Sequence, residues 1–194
     1  RAVLERCGQV SDEILVLDDG STDDTVEICL KAGARVKKRK LSVPAWGNEV
    51  SARIELWEYA VQHCRDAADW VLFADGDMVL HGDPRPLPTS RECNSWSFIL
   101  YDLWSETEYR SDQFWVGHTF PRPWMVAPKR VPDGWSAEWL NRGDHCRHIP
   151  ANFPHVSAIA PPDEYYWLHY AYSSEEGREA KYEQYLAKKH LLNP

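Results

Sequence analysis

The chain has little sulfur, little positive charge and no long apolar stretch. Its five cysteines, Cys7, Cys29, Cys64, Cys93 and Cys146, are odd in number and lack CxxC spacing. Neither a disulfide framework nor a paired-cysteine zinc site is indicated, and a reducing, cytoplasmic compartment is expected. No segment approaches the roughly 20 apolar residues of a membrane span, and no signal peptide is visible. With 22 Lys and Arg against 30 Asp and Glu the formal charge is -8, which disfavours broad attraction to nucleic acid or to an anionic membrane. An anionic ligand must then be held locally or through a cation. The one basic run, Lys37-Lys38-Arg39-Lys40, reads as a solvated strand edge. At 194 residues the chain is long enough for one domain with a sizeable core and short for two.

Aromatic residues are plentiful, with 10 Trp and 9 Tyr, and many follow residue 95. Sugar faces stack on such rings, although core packing accounts for most aromatics. More informative are two acidic strand ends. The apolar run Ile14-Leu15-Val16-Leu17 ends in Asp18-Asp19-Gly20-Ser21-Thr22-Asp23-Asp24-Thr25, and Trp70-Val71-Leu72-Phe73-Ala74 ends in Asp75-Gly76-Asp77. In an open α/β sheet ligands bind beyond the carboxyl ends of the strands. Carboxylates there suit a sugar, a ribose or a metal ion.

Residues 1–9 read as the last turns of a helix with Gly8 near its stop. A helix over about 23–32 follows the first acidic turn, with Ser21 or Thr22 as cap, Asp23 and Asp24 at its positive end and Gly33 as stop. A short strand opens at Ala34. Val50, Ile54, Trp57, Val61 and Cys64 repeat with helical period. The strand over 70–74 is apolar on both faces, as a covered parallel strand should be. Beyond Asp83-Pro84-Arg85-Pro86 the order changes to strands near 95–101 and 124–127 and a last helix near 174–190, with Ser173 and Glu176 as a capping box. The reading is one α/β domain with a regular half over 1–84 and an irregular half over 85–194.

The two acidic motifs, in this order and about fifty residues apart, resemble those of family-2-type glycosyltransferases of the GT-A fold. Gly47-Asn48-Glu49-Val50-Ser51-Ala52-Arg53 looks like the segment that places an arginine near the nucleotide. His169-Tyr170-Ala171-Tyr172-Ser173, with Lys181-Tyr182-Glu183-Gln184-Tyr185, is similar to the tails of some members. The resemblance implies a Rossmann-type three-layer sandwich with a mostly parallel sheet. Members open with an apolar strand that no residue here supplies, so strands 14–17 and 70–74 are expected in one sheet, either flanking a strand-wide space or paired directly. The implied reaction moves a sugar from a nucleotide diphosphate sugar to a saccharide, lipid or protein acceptor, with Mn²⁺ or Mg²⁺ on the diphosphate.

By the same resemblance Asp77 is the metal ligand, and Asp75 touches the ribose or a metal-bound water. Asp19 accepts a hydrogen bond from the base, while Asp18 stands beside it or holds the turn. His169 completes the metal shell, and Arg53 reaches the diphosphate or is solvated. No Glu-Asp pair follows Asp77, so the base that activates the acceptor is taken as Asp112, flanked by Tyr109, Phe114 and Trp115, whose apolar surroundings would raise its pKa. Asp133, Glu138 and Asp144 are the alternatives. His145, Cys146 and His148 hint at a soft-metal site but lack a second cluster. Two rival functions remain: a sugar-nucleotide nucleotidyltransferase, which would favour a Gly-rich basic loop, and a non-catalytic carbohydrate-binding protein.

Overall fold

The structure is a computed structural model that describes residues 1–39, 49–87, 92–140 and 147–192. Helix α1 (Ala2–Val10) contains Gly8 instead of stopping at it. Ser11 closes the last turn, its N–H and hydroxyl both donating to the Cys7 carbonyl. Strands β1 (Leu15–Asp18) and β2 (Arg35–Lys38) pair in parallel across helix α2 (Thr25–Lys31). The cap expected from Ser21 or Thr22 is absent. The Asp23 carboxylate accepts the Thr25 N–H at 3.0 Å, while Gly33 ends the helix with a φ of 81°. Helix α3 (Glu49–His63) packs on β1 and buries Trp57 and Ala60.

The second sheet runs in the order β3 (Val71–Leu72), β6 (Arg122–Val126), β5 (Ser95–Asp102), β8 (Tyr166–His169), β4 (Met78–His81), with β7 (Ser157–Ile159) also on β5. It is mixed, which corrects the expectation of a mostly parallel sheet. The pairs β3–β6, β5–β6 and β4–β8 are antiparallel, whereas β5–β7 and β5–β8 are parallel. Among the described residues only β1 and β2 are consecutive strands paired in parallel, with α2 as the crossover that such pairing requires. Helix α4 (Glu175–Leu192) closes the described chain, and its cap is Ser174, which accepts the Gly177 N–H, not Ser173.

Strands β1 and β3 do not share a sheet, contrary to expectation. Among the described residues no strand lies between them to carry the hydrogen bonds, and residues of both sheets line a cleft of about 2470 Å³. Their connection is by side-chain packing: Leu15 and Val71 both lie against the cluster of Trp57, Phe73, Val126, Ile149 and Phe153. A second cluster, built on Trp96, Phe98, Leu100, Trp124 and Trp167, fills the curl of the larger sheet.

That curl is forced by the chain. β3 and β4 stand at opposite ends of the strand order, yet only residues 73–77 join them. Four interstrand steps in a flat sheet span about 19 Å, close to the roughly 20 Å reach of the fully extended connection. The connection is not extended, since the Met78 N–H turns back to the Asp75 carbonyl at 3.1 Å. The sheet must therefore bend, and the acidic turn 75–77 is drawn across its mouth.

Trp57 joins the helical layer to this sheet. It stacks on Phe73 at 5.8 Å and meets Trp135, Trp139 and Phe153 edge-on. Trp57→Ala should lower the unfolding free energy by about 3–5 kcal/mol, measured by urea denaturation. A loss below about 1 kcal/mol would mean that α3 is anchored elsewhere.

Candidate active site

Two strand ends deliver carboxylates to the cleft. At the end of β1, Asp18 is buried and its Oδ1 accepts the Ser21 N–H at 3.2 Å, so it holds the turn. Asp19 faces the cleft and is ion-paired with Arg39. Arg39 is only 10% exposed; its Nε donates to Glu55 at 3.0 Å and its Nη2 to the Ser51 hydroxyl at 2.6 Å. It is thus a buried anchor for Asp19 instead of part of a solvated basic edge. The sequence offered a usable signal, because Arg39 directly follows β2, whose last residue Lys38 is in register with Asp18.

Asp75 is clamped by Arg53 and His148. Arg53 Nη1 donates to Oδ1 at 2.7 Å, and His148 Nε2 meets Oδ2 at 2.9 Å. Burial alone would raise its pKa, but the hydrogen bond and charge of His148, with the Arg53 charge, hold it far below the usual carboxylate range. Arg53 also reaches Glu49 at 3.3 Å. His148 lies against Trp124 with ring centroids 4.4 Å apart. The other members of the His145, Cys146 and His148 spacing lie outside the described residues, as does Asp144.

Asp77 meets the late histidine across two neighbouring strands. The antiparallel register of β4 and β8 sets Met78 opposite His169, and the Tyr170 N–H donates to the Asp77 carbonyl at 2.8 Å. His169 Nε2 stands 3.5 Å from Asp77 Oδ2, and Lys181 Nζ of α4 stands 3.9 Å from the same oxygen. His169 Nδ1 bonds Asp102 Oδ1 at 2.7 Å. Burial would lower the pKa of His169, but Asp102 and Asp77 together push it up to about 9. Burial would raise that of Asp77, but His169 and Lys181 hold it below its ordinary value.

Asp112 is elsewhere. Its Oδ1 accepts the N–H groups of Phe114 and Trp115, its Oδ2 accepts Arg110 Nε at 2.5 Å, and it does not line the cleft. The upward pKa shift expected from aromatic surroundings is reversed: although what burial there is would raise it, the turn N–H groups and Arg110 lower it. Its neighbour Trp115 does line the cleft, edge-on to Tyr172, which in turn lies edge-on to His169. Asp133 and Glu138 are exposed and outside the cleft lining. Arg39, Asp102 and Lys181 were not singled out as site residues, since each acts through a partner distant in sequence.

Residues 1–85 match the family model described as Glycosyl transferase family 2. An uncharacterized protein of Mycobacterium tuberculosis is 36% identical over 86 residues, which is 42% of this chain and 21% of that protein. Glucosyl-3-phosphoglycerate synthase of Mycobacterium tuberculosis is 36% identical over 76 residues, 39% of this chain and 22% of that enzyme. The enzyme of the same name from Mycolicibacterium smegmatis is 32% identical over 80 residues, 41% of this chain and 24% of its own length. No solved structure matches the chain. The chain spans about a fifth to a quarter of the length of these curated relatives. Over residues 1–85, which hold both acidic strand ends, the chain resembles the family 2 glycosyltransferases, as its two motifs imply.

Proposed function

We propose that the chain forms the donor-binding side of a divalent-metal-dependent glycosyltransferase of the GT-A type, transferring a sugar from a nucleotide diphosphate sugar to an acceptor. One observation carries the reading: the turn after β3 delivers Asp77 to His169 in the same cleft that receives Asp19 from β1. The matched family segment ends at residue 85, so it supports the donor side and leaves the acceptor, whether saccharide, lipid or protein, unassigned. A cytoplasmic location is proposed with it, supported by the four unpaired cysteines among the described residues. No helix among those residues is long and apolar enough to cross a membrane.

The donor atoms fit a hard divalent cation. Asp77 Oδ2 and His169 Nε2, 3.5 Å apart, can share one ion at bond lengths of roughly 2.1 Å. Among the described residues no cluster of three or more His, Cys, Asp or Glu side chains forms a metal site. Two protein ligands suffice for Mg²⁺ or Mn²⁺, because such ions keep water and substrate phosphate oxygens in their shell. When bound, the cation supplies Lewis-acid neutralisation of the departing diphosphate. Asp19, fixed by Arg39, accepts an N–H of the base. Asp75, fixed by Arg53 and His148, faces the ribose. Lys181 and the cleft-lining Arg147 add positive charge toward the phosphates. Trp115 and Tyr172 give the sugar an aromatic wall.

Uridine diphosphate should raise the melting temperature only with Mn²⁺ or Mg²⁺ present, and Asp77→Asn or His169→Ala should abolish that rise while leaving the ligand-free fold intact. Equal nucleotide affinity in Asp77→Asn or in chelator, read by calorimetry, would remove the metal from the reading. Binding without hydrolysis or transfer across sugar nucleotides and acceptors would favour the non-catalytic alternative. Pyrophosphate-dependent exchange would favour the nucleotidyltransferase.

The proton on His169 sets two opposite pH trends. With a folded pKa near 9 against an ordinary 6.5, its contribution to the stability of the metal-free protein is complete below about pH 6.5. That contribution, up to about 3 kcal/mol, is lost as pH rises through 9. A metal needs the neutral imidazole, so Mn²⁺-nucleotide affinity should rise over the same interval. His169→Gln should flatten both curves, followed by urea unfolding and by calorimetry. A pH-independent affinity in the parent would sink the ligand role.

A further inference from the structure

We propose that Asp102 is a positioning residue that locks His169 with Nε2 aimed at Asp77. The inference rests on the reading of Asp77 and His169 as the metal-binding pair. Asp102 is the last residue of β5, and the parallel register of β5 with β8 sets it directly beside His169, the last residue of that strand. The two side chains are 14% and 16% exposed, and Asp102 Oδ1 accepts Nδ1–H of His169 at 2.7 Å. With Nδ1 occupied, the ring can present only Nε2 to the cleft, which is the nitrogen 3.5 Å from Asp77. A ligating histidine whose second nitrogen donates to a carboxylate is fixed in tautomer and orientation, and it is a stronger ligand.

A second observation stands apart from that bond. A Cβ built on Gly117 would lie 3.1 Å from Asp102 Oδ2 and 3.1 Å from the Leu100 carbonyl. The turn over 117–119 therefore packs bare backbone against the carboxylate and holds it toward His169. Nor is the side-chain pair needed to join the strands. The backbone already does so, through the β5–β8 ladder and the Leu103 N–H bond to the His169 carbonyl at 3.0 Å.

The test titrates Mn²⁺ and Mn²⁺-uridine diphosphate into the full chain by calorimetry and records the Mn²⁺ electron paramagnetic resonance for coupling to histidine nitrogen. Asp102→Ala should weaken Mn²⁺-nucleotide binding roughly 10- to 100-fold and diminish the nitrogen coupling. Asp102→Asn, which keeps an acceptor oxygen, should lose less. Gly117→Ala, which leaves the carboxylate in place chemically but displaces it, should weaken binding between those limits. Variants that melt earlier yet keep parental affinity and coupling would mean that Asp102 only braces the fold, and the proposal falls. A parent that binds neither Mn²⁺ nor Mn²⁺-nucleotide overturns the metal-dependent reading and this proposal together, whereas a binding parent with unaffected variants overturns this proposal alone.

Discussion

Residues 73–77 have to join the two ends of a sheet whose intervening strands would separate them by nearly the full reach of the connection. The sheet resolves this by curling, and most of the candidate site is a consequence. The curl brings β3 round toward β4, while the antiparallel register of β4 with β8 and the parallel register of β8 with β5 set Asp77, His169 and Asp102 together although they are far apart in sequence. It also encloses the Trp96, Phe98, Trp124 and Trp167 cluster, whose burial offsets the bending of the strands. A longer connection between β3 and β4 would relieve the constraint and leave the acidic turn with no fixed position.

The electrostatics of the cleft follow from bringing carboxylates together in a chain of net charge -8. Three carboxylates of the cleft are matched by basic side chains from other elements: Asp19 by Arg39, Asp75 by Arg53 and His148, Asp77 by His169 and Lys181. Removing one cation would leave a partly buried negative charge without its partner, which costs more than the pair contributes. The cleft is consequently less repulsive to a diphosphate than its motifs suggest. Lys181 and His169 both face one oxygen of Asp77.

The helices, the strands β1, β2, β3, β5 and β6 and the acidic turns were legible because local sequence dictates them: apolar runs stop at Asp-Gly turns, and the α3 repeat has helical period; the short strands β4, β7 and β8 were not read. Asp77 and His169 were named together through the family resemblance. What was not legible depends on pairing between distant strands. The mixed sheet, the separation of β1 from β3 and the contact of Asp102 with His169 are properties of register, which no single segment encodes. Asp112 was misjudged for a related reason. Aromatic neighbours in sequence suggested burial, but the turn points the carboxylate at its own N–H groups and at Arg110, which lowers its pKa. Arg39 was misread in the opposite direction, because a basic run gives no sign that one member turns inward to Asp19 and Glu55.

The division of the protein into two hydrogen-bonded sheets gives the cleft a particular mechanical character. Asp19 belongs to the β1–β2 sheet, and Asp75 and Asp77 belong to the connection at the edge of the other. Between them the coupling runs through side chains, chiefly Trp57 against Phe73 and Leu15 and Val71 against the same cluster, with Arg53 of α3 reaching Asp75. Packing of this kind is non-directional and fixes distance less sharply than a strand ladder does. A ligand that contacts Asp19 at one end and the Asp77–His169 pair at the other would therefore tie the sheets together. Its binding free energy would appear as added stability of the whole protein and not of one sheet alone.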